Sequence, residues 1–318
     1  MLKRILGVFL LVGCLIFANV PISSCKSSIS IVYIAGDGSG DFNCDGKDDQ
    51  VQINQALKLV ADNPTKYTTV HLKGSFTYVI DDTLLIGNNT ILEGDSNTVL
   101  KLADNAGWVT MKPLIQQMSS SGNSNITIRG FEVNGNHDGN PAISKGKGYY
   151  NIMYFTNCNN ITVYNMYMHD GLGDGLRANS CKNIQFYNNT IYKLGHDGMF
   201  AIRSQNIEAC NNTITCRTNS ALRIWNSNHV KLHDNVIDSF YHWSAGGPGI
   251  QIEKGDTGTG LMDDIDIYNN TIHNTYGPGI WLVNYDTTSA TGDLGKNVHI
   301  HHNIFYNTGT NPSITWVG

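Results

Sequence analysis

The hydrophobic pattern in the second half of the chain repeats a short motif of one polar residue, one apolar residue, any residue and a second apolar residue. The motif begins at Asn125, Asn160, Asn183, Asn206, His229, Asp264 and Asn297, in steps of 35, 23, 23, 23, 35 and 33 residues. The basic unit is therefore 23 residues, and three units carry insertions of 12, 12 and 10 residues. Such a period is typical of stacked structural units.

Each unit predicts three short strands. The first is the motif itself, the second follows an asparagine turn, and the third begins at a small residue fifteen positions after the motif starts. Apolar residues alternate within each strand, so one face points inward. We predict an all-β fold, a single-stranded right-handed parallel β-helix with an N-terminal capping α-helix. One asparagine per unit would form a hydrogen-bonded ladder across the coils: Asn189, Asn212, Asn235, Asn270 and Asn303.

The N-terminal part of the β-helix has a different pattern. Asp48 and Asp49 are expected to cap a helix that covers the open first coil. Its apolar face consists of Val51, Ile53, Ala56, Leu57 and Val60. The cap segment spans about residues 31–65. Early, irregular coils follow, with predicted strands at Val70–Leu72, Thr77–Ile80, Thr90–Leu92 and Val99–Leu102.

Residues 1–25 are predicted to be a signal peptide, because two basic residues precede an apolar run over residues 5–17 and small residues follow. The run is short for a membrane-spanning helix. Leu11–Cys14 also resembles a lipoprotein box, so lipidation and an uncleaved anchor stay open beside cleavage. We expect a secreted or cell-surface protein whose mature chain, residues 26–318, is one β-helix domain.

Charge and cysteine content narrow the function classes. The chain has 21 basic and 26 acidic residues, a net charge of −5, which argues against nucleic acid and against a membrane partner apart from the signal segment. No cysteine pair has the spacing of a metal site. Cys158 and Cys181 are 23 residues apart, so they would lie on adjacent coils. Export permits a disulfide between them, and a stack of reduced cysteines is the alternative.

The candidate catalytic residues centre on two aspartates. Asp174 and Asp197 both precede a glycine and are one 23-residue period apart, so their carboxyl groups should lie on adjacent coils. One of two such carboxylates is expected to have a raised pKa, as a general acid requires. The alternative is a pair of Asp-Gly turns. His196 is a candidate proton carrier or anion ligand, and Glu253 is the third candidate carboxylate.

The outward positions of the third strands form two columns that suit sugar stacking and uronate binding. The candidate substrate-binding residues in these columns are Arg177, Phe200, Arg223, Trp225, Gln251 and Trp281. Solvated charges are the alternative for the two arginines. His242 and Trp243, in an inserted segment beside this face, are predicted to form a lid or a sugar platform, with packing against the helix body as the alternative.

No cofactor is expected for the reaction. The segment Asp41–Gly46 matches the opening of a calcium-binding loop, with Asp41, Asn43 and Asp45 as candidate ligands of a structural Ca²⁺. The position where that loop has a bidentate glutamate holds Gln52.

Several segments carry a resemblance to known families. Gly36–Gly38 and Asp45–Asp49, followed by Ile53 and Ala56, are similar to the capping segment of pectate-lyase-like β-helix proteins. The span from about Ile31 to the end resembles the archaeal disaggregatase family, notably at His169–Gly171, Gly195–Gly198 and Ala221–Trp225. That resemblance implies a β-helical protein that degrades the chondroitin-like matrix between methanogen cells.

A weaker resemblance is to polygalacturonases, which are inverting β-helix hydrolases. Asp174 would correspond to the aspartate of their first motif, and His196 with Asp197 to their second motif. Their third and fourth motifs are not matched, because Asn219–Ala221 and Gln251–Glu253 stand at those places.

The leading hypothesis is a hydrolase of a uronate-containing matrix polysaccharide. Asp197 would protonate the leaving oxygen, and Asp174 or Glu253 would activate water. A polysaccharide lyase, in which Arg177, Arg223 or Ca²⁺ neutralises the uronate carboxylate, is the second hypothesis. A non-catalytic glycan-binding surface protein is the third. The chain ends inside a predicted third strand without a cap, so a longer parent chain or a homo-oligomer such as a trimer would cover the last coil.

Overall fold

The computed structural model describes residues 30–108, 111–140, 150–216, 219–239, 247–255, 262–285 and 294–310. These residues form 28 β-strands and one α-helix, α1 (Gln50–Asp62). The predicted signal segment, the lid residues His242 and Trp243, and residues 311–318 lie outside this part of the chain. Among the described residues, no helix has the length and apolar character needed to span a membrane.

The strands, numbered in chain order, form three sheets in which the pairing is parallel. Sheet A contains β1 (Ser30–Ala35), β2 (Phe42–Asn43), β3 (Tyr67–Leu72), β6 (Thr90–Gly94), β9 (Ser124–Arg129), β12 (Asn159–Tyr164), β15 (Lys182–Tyr187), β18 (Gln205–Cys210), β21 (Asn228–His233), β24 (Met262–Tyr268) and β27 (Gly295–His301). Sheet B contains β4 (Thr77–Ile80), β7 (Val99–Leu102), β10 (Glu132–Asn134), β13 (Tyr167–His169), β16 (Thr190–Leu194), β19 (Thr213–Cys216), β22 (Val236–Asp238), β25 (Thr271–His273) and β28 (Ile304–Tyr306). Sheet C contains β5 (Leu84–Ile86), β8 (Ile115–Gln117), β11 (Met153–Thr156), β14 (Leu176–Asn179), β17 (Met199–Ile202), β20 (Leu222–Trp225), β23 (Ile250–Lys254) and β26 (Ile280–Asn284).

This arrangement is the predicted right-handed parallel β-helix. The chain visits sheets A, B and C in turn, and each strand pairs with the strand one coil later. Leu176, Met199 and Leu222, each one period apart, are direct partners across sheet C. Their side chains are buried, and alternation directs Arg177, Phe200 and Arg223 to the outer face of the same sheet.

Helix α1 covers the first coil as predicted, but its N-terminus is built differently. Ile53, Ala56, Leu57 and Val60 are buried, whereas Val51 is exposed. Asp49 occupies the N-cap position without a side-chain bond to the helix. Its buried carboxylate instead accepts hydrogen bonds from the backbone N–H groups of residues 45 and 46 and of residue 79 in β4. Asp49 therefore joins the cap to the first coil.

Ladders of side chains form hydrogen bonds with the backbone groups at the turns between the sheets. Asn189, Asn212, Asn235, Asn270 and Asn303 form the predicted ladder, in which each side-chain oxygen accepts the backbone N–H of the preceding coil. Cys158 and Cys181 form part of a second ladder. The N–H of Cys158 donates to the sulfur of Cys181 at 3.4 Å, and the N–H of Cys181 donates to the hydroxyl of Ser204. Both cysteines are free and buried in this structure, an arrangement that matches the interpretation as a reduced stack.

Replacing Asn212 with alanine is expected to lower the free energy of unfolding by about 2–5 kcal/mol, because it removes the partners of two buried backbone groups. The side chain accepts the N–H of Asn189 at 3.0 Å and donates to the carbonyl of Phe186 at 2.9 Å. Urea denaturation measures the change. Asn206→Gly is the control, because Asn206 lies in an exposed ladder at φ 56° and glycine retains that conformation. An equal loss of unfolding free energy in both variants would contradict the stabilising role given to the buried asparagine ladder.

Candidate active site

The two aspartates lie in a third ladder, at the turn that leads into sheet C. Asn151, Asp174, Asp197 and Ser220 are successive members of this column. Asp174 Oδ1 accepts the backbone N–H of Asp197 at 3.0 Å, and Asp197 Oδ1 accepts the N–H of Ser220 at 2.8 Å. Both carboxylates are fully buried. The column explains why the pair comes together, since residues one period apart become neighbours when the coils stack.

His196 lies between the two carboxylates. Its Nδ1 is 2.6 Å from Asp174 Oδ1 and 3.0 Å from Asp197 Oδ2, and its side chain is 18% exposed. Asp197 Oδ2 is buried and accepts no aligned hydrogen bond within the described part of the chain. The imidazole is therefore the member of this triad that reaches the surface.

The electrostatics of the triad favour a protonated histidine. Burial by itself disfavours the imidazolium, but the charges of Asp197 and Asp174 outweigh burial and raise the pKa of His196 well above its usual value. Burial likewise opposes ionisation of Asp174, but His196 and Arg177 outweigh it and lower the pKa of that carboxyl. The spacing of the two aspartates predicts a raised pKa for one of them. For Asp174 the direction is the opposite, because His196 and Arg177 stabilise its carboxylate.

The arginines flank an aromatic ring. Arg177, Phe200 and Arg223 are register partners on three successive coils, and both guanidinium groups lie over the Phe200 ring, 4.8 and 4.4 Å from its centroid. Arg177 Nη1 also lies 3.2 Å from Asp174 Oδ2. Phe200 is buried beneath these groups. It therefore supports the arginines, whereas the outward column predicts a ring that is exposed for sugar stacking.

Arg223 connects the triad to Glu253. Its Nε and Nη2 bind the Glu253 carboxylate at 3.0 and 2.8 Å, and its Nη1 lies 3.7 Å from Asp197 Oδ2. Gln251 donates to the same carboxylate and accepts the hydroxyl of Ser220 at 2.8 Å. Burial raises the pKa of Glu253, although Arg223 opposes that shift. Gln251 is also buried, so it positions Glu253 and does not present a surface to a substrate.

Of the remaining predicted residues, the structure describes Trp225 and Trp281. Trp225 pairs with Glu253 across sheet C and lies 6.1 Å from the Phe200 ring, nearly parallel to it. Trp281 pairs with Gln251 on the next coil and is partly buried. The residues of the two outward columns on the third strands are therefore paired in the register that the repeat predicts. The lid expected at His242 and Trp243 lies outside the described residues.

One contact of the site was not predicted. Asn219 Nδ2 lies 3.1 Å from His196 Nε2. The signal for it was present, because Asn219 follows His196 by one 23-residue period. Asn151 is related to Asp174 by the same period, so the repeat could have indicated this member of the ladder as well.

The charges of the cluster favour a site that transfers protons over a site that binds a metal ion. Three carboxylates, Asp174, Asp197 and Glu253, face three basic groups, His196, Arg177 and Arg223. The facing oxygen and nitrogen atoms of Asp174, His196 and Asp197 lie within 4.8 Å of one another, close enough to share a metal ion. However, the two guanidinium groups already compensate the carboxylates, and their positive charge would repel a cation.

The predicted calcium loop uses its oxygens locally. Asp41 Oδ2 accepts the N–H of Tyr33, Asn43 Oδ1 accepts the N–H of Gly40, and Asp45 Oδ1 accepts the N–H of Lys47. The calcium site therefore stays a prediction, and an ion would have to share these oxygens with the backbone.

Unfolding at different pH values tests the triad. A raised pKa in the folded state means that the protonated His196 stabilises the fold fully below its unfolded value of about 6.5. That contribution is lost as the pH rises through the folded value. The wild-type protein should therefore unfold at higher urea than His196→Asn at acidic and neutral pH, and the difference should shrink at alkaline pH. A difference that is independent of pH would contradict the assigned protonation.

Two family models match the chain. The model for the right handed beta helix region matches residues 70–237, and the model described as disaggregatase related matches residues 262–318. The resemblance predicted from the sequence is thereby confirmed at the level of the superfamily. No curated protein matches the sequence.

Solved structures with similar folds belong to proteins of different activities. The A-module of the mannuronan C-5 epimerase AlgE6 from Azotobacter vinelandii is 17% identical, with 83% of this chain and 74% of that chain covered and a TM-score of 0.59. A family 28 exopolygalacturonase from Yersinia enterocolitica is 15% identical, with coverages of 86% and 58% and a TM-score of 0.55. PfbA, a surface adhesin of Streptococcus pneumoniae, is 12% identical, with coverages of 82% and 77% and a TM-score of 0.52. At identities this low, the structural similarity shows a shared fold alone.

Proposed function

The chain belongs to the right-handed β-helix family, and on that premise we propose that it hydrolyses a uronate-containing, chondroitin-like polysaccharide outside the cell. The observation that carries the proposal is the cluster on sheet C, in which a histidine and two arginines lie above three buried carboxylates, and the carboxylates raise the pKa of the histidine. A positively charged rim suits an anionic glycan, and a held proton suits a leaving oxygen.

His196 is the general acid in this proposal. Asp197 was the acid in the leading hypothesis from the sequence, but the carboxylates of Asp197 and Asp174 are buried, whereas the imidazole reaches the surface. A general acid must come within hydrogen-bond reach of the oxygen that it protonates. Asp174 and Asp197 keep the imidazole charged and oriented, so they are positioning residues.

Glu253 is the candidate base. The facing oxygens of Asp174 and Asp197 lie within 4.8 Å of each other, closer than the roughly 6.5–9.5 Å of an inverting pair. Glu253 is held by Arg223. A uronate carboxylate that binds Arg223 would compete with Glu253 and release it. Because burial raises the pKa of Glu253, the freed group would be basic enough to activate water.

The location and the substrate class have independent support. Residues 1–25 carry the sequence pattern of an export signal, and the similar fold of PfbA is that of a surface adhesin. The similar exopolygalacturonase and mannuronan epimerase both act on polymers of uronates, as their names state. Secretion or surface display and a uronate substrate therefore form one consistent proposal.

Product masses test the reaction. Purified protein is incubated with chondroitin-type and pectin-type polymers, and the products are analysed by mass spectrometry. Hydrolysis adds one water to each cleavage. Products that lack this water and absorb ultraviolet light as unsaturated uronates would establish a lyase and overturn the proposed hydrolysis. Unshortened polymer with altered uronate stereochemistry would establish an epimerase.

A second candidate is glycan binding without turnover. The supporting observation is that each of the six charged groups is paired within the cluster, so the cluster can also be a rigid recognition surface. In that case the polymer would bind and stay intact. Binding would then weaken when Arg177 is replaced, and no products would form with any variant.

A further inference from the structure

A second cluster of ligand-type side chains lies on the outer face of sheet A, away from the sheet C site. Glu208 and Cys210 alternate with the buried Ile207 and Ala209 along β18, so both point outward. His233 in β21 is the direct partner of Cys210 on the next coil. The facing atoms of Glu208, Cys210 and His233 lie within 4.8 Å of one another.

His233 contacts a carboxylate through one ring nitrogen, as metal-binding histidines commonly do. Its Nδ1 lies 2.7 Å from Asp234 Oδ2, while its Nε2 faces Glu208 Oε1 at 3.2 Å. A carboxylate on Nδ1 fixes the tautomer whose Nε2 lone pair is free for a metal, and it raises the basicity of the ring. The imidazole is also held by Tyr268, which stacks on it at 4.7 Å between ring centroids.

Cys210 interrupts a column of rings. The same register position holds Tyr164 and Tyr187, which stack at 4.8 Å, then Cys210, then His233 and Tyr268. The ring stack is therefore broken at Cys210, and a thiol stands next to the imidazole of His233. The thiol is partly exposed and free, and it adds a sulfur ligand beside an imidazole and a carboxylate.

We propose that Glu208, Cys210 and His233 bind one Zn²⁺, with a fourth coordination position open to water or an external ligand. Sulfur, nitrogen and oxygen ligands together suit zinc, whereas Mg²⁺ and Ca²⁺ use oxygen ligands. Tetrahedral zinc has ligand bonds of about 2.0–2.3 Å, so side-chain rotations that bring the three ligand atoms closer together would complete the site. The ion would join β18 to β21 across two coils. This site is independent of the proposed hydrolysis.

A matched control occurs in the same molecule. His169 has the same pair of carboxylate contacts, with Nδ1 2.7 Å from Asp170 and Nε2 3.0 Å from Glu132. Among the described residues, however, His169 does not belong to a group of three side chains whose ligand atoms all lie within 4.8 Å of one another. A histidine held between two carboxylates is thus an ordinary feature of this solenoid, and Cys210 distinguishes the proposed zinc site.

Zinc and cobalt titrations of the full chain test the proposal. Competition with a chromogenic chelator should give one tight Zn²⁺ per chain, and Co²⁺ should produce a thiolate-to-cobalt charge-transfer band. Cys210→Ser should abolish the band and weaken Zn²⁺ binding at least about 10-fold, and Asp234→Asn should weaken it about 10–100-fold. His169→Asn should change neither.

Each contrary result decides against the zinc site. Wild-type protein that binds no stoichiometric Zn²⁺ overturns it, and so does bound Co²⁺ without a thiolate band, which would place the ion elsewhere. Cys210→Ser with wild-type affinity also overturns it. Thermal unfolding without metal shows whether each variant is folded. If Cys210→Ser does not fold, the wild-type cobalt band and Asp234→Asn decide the question.

Discussion

Replacing His196 with asparagine is expected to reduce kcat on the polysaccharide by about 10²–10⁴-fold, the range for loss of a general acid. Of the histidine and carboxylate side chains of the cluster, the imidazole is the one that reaches the surface, and asparagine cannot supply a proton at neutral pH. KM should change little, because Arg177 and Arg223 remain. Initial rates of reducing-end formation measure the effect.

His169→Asn is the matched control for this substitution. His169 is also held between two carboxylates, but it lies on sheet B, outside the cluster. Activity within about two-fold of wild type is expected for it. If His196→Asn retains wild-type kcat while folded, or if both substitutions reduce kcat equally, His196 is not the acid.

Replacing Arg223 with methionine is expected to lower the free energy of unfolding by about 3–5 kcal/mol, because it leaves a buried carboxylate without its partner. The Glu253 side chain is 1% exposed and forms a bidentate pair with Arg223. The double variant Arg223→Met/Glu253→Leu should recover most of the loss, since no buried charge is then unpaired. Urea denaturation measures all three proteins.

Arg129→Met provides the comparison for the buried pair. Arg129 binds Glu93 with similar geometry, but its side chain is 38% exposed. Its loss should cost about 1 kcal/mol or less. A small loss for Arg223→Met, or a double variant that is less stable than Arg223→Met, would contradict the assignment of a buried, mutually dependent pair.

The sequence predicted the fold closely because the repeat fixes the register. Once residues one period apart are placed on adjacent coils, the partners of Leu176 and the asparagine ladder follow from counting alone. The N-terminus of helix α1 was less predictable. Asp49 stands where a capping residue is expected, yet its carboxylate bonds to β4 and the preceding turn, and no local pattern reveals such a contact across 30 residues.

The sequence predicted which residues come together in the candidate site better than it predicted what each residue does there. Counting periods brought Asp174, Asp197, Arg177 and Arg223 to one face, as the structure places them. Counting does not show burial or side-chain direction. The buried carboxylates and the placement of His196 between them depend on packing among neighbouring coils. The group proposed to donate the proton therefore changed from an aspartate to His196, because His196 reaches the surface and the neighbouring carboxylates raise its pKa.

The most direct test of the account is the titration of His196 by NMR, compared with the pH profile of activity. The account predicts that His196, assigned by its absence in His196→Asn, stays protonated well above the usual histidine range. It also predicts that kcat/KM falls on the alkaline side at the pH at which His196 loses its proton. Titration of His196 at or below the usual histidine pKa would contradict the account. An alkaline loss of activity at an unrelated pH would contradict it as well.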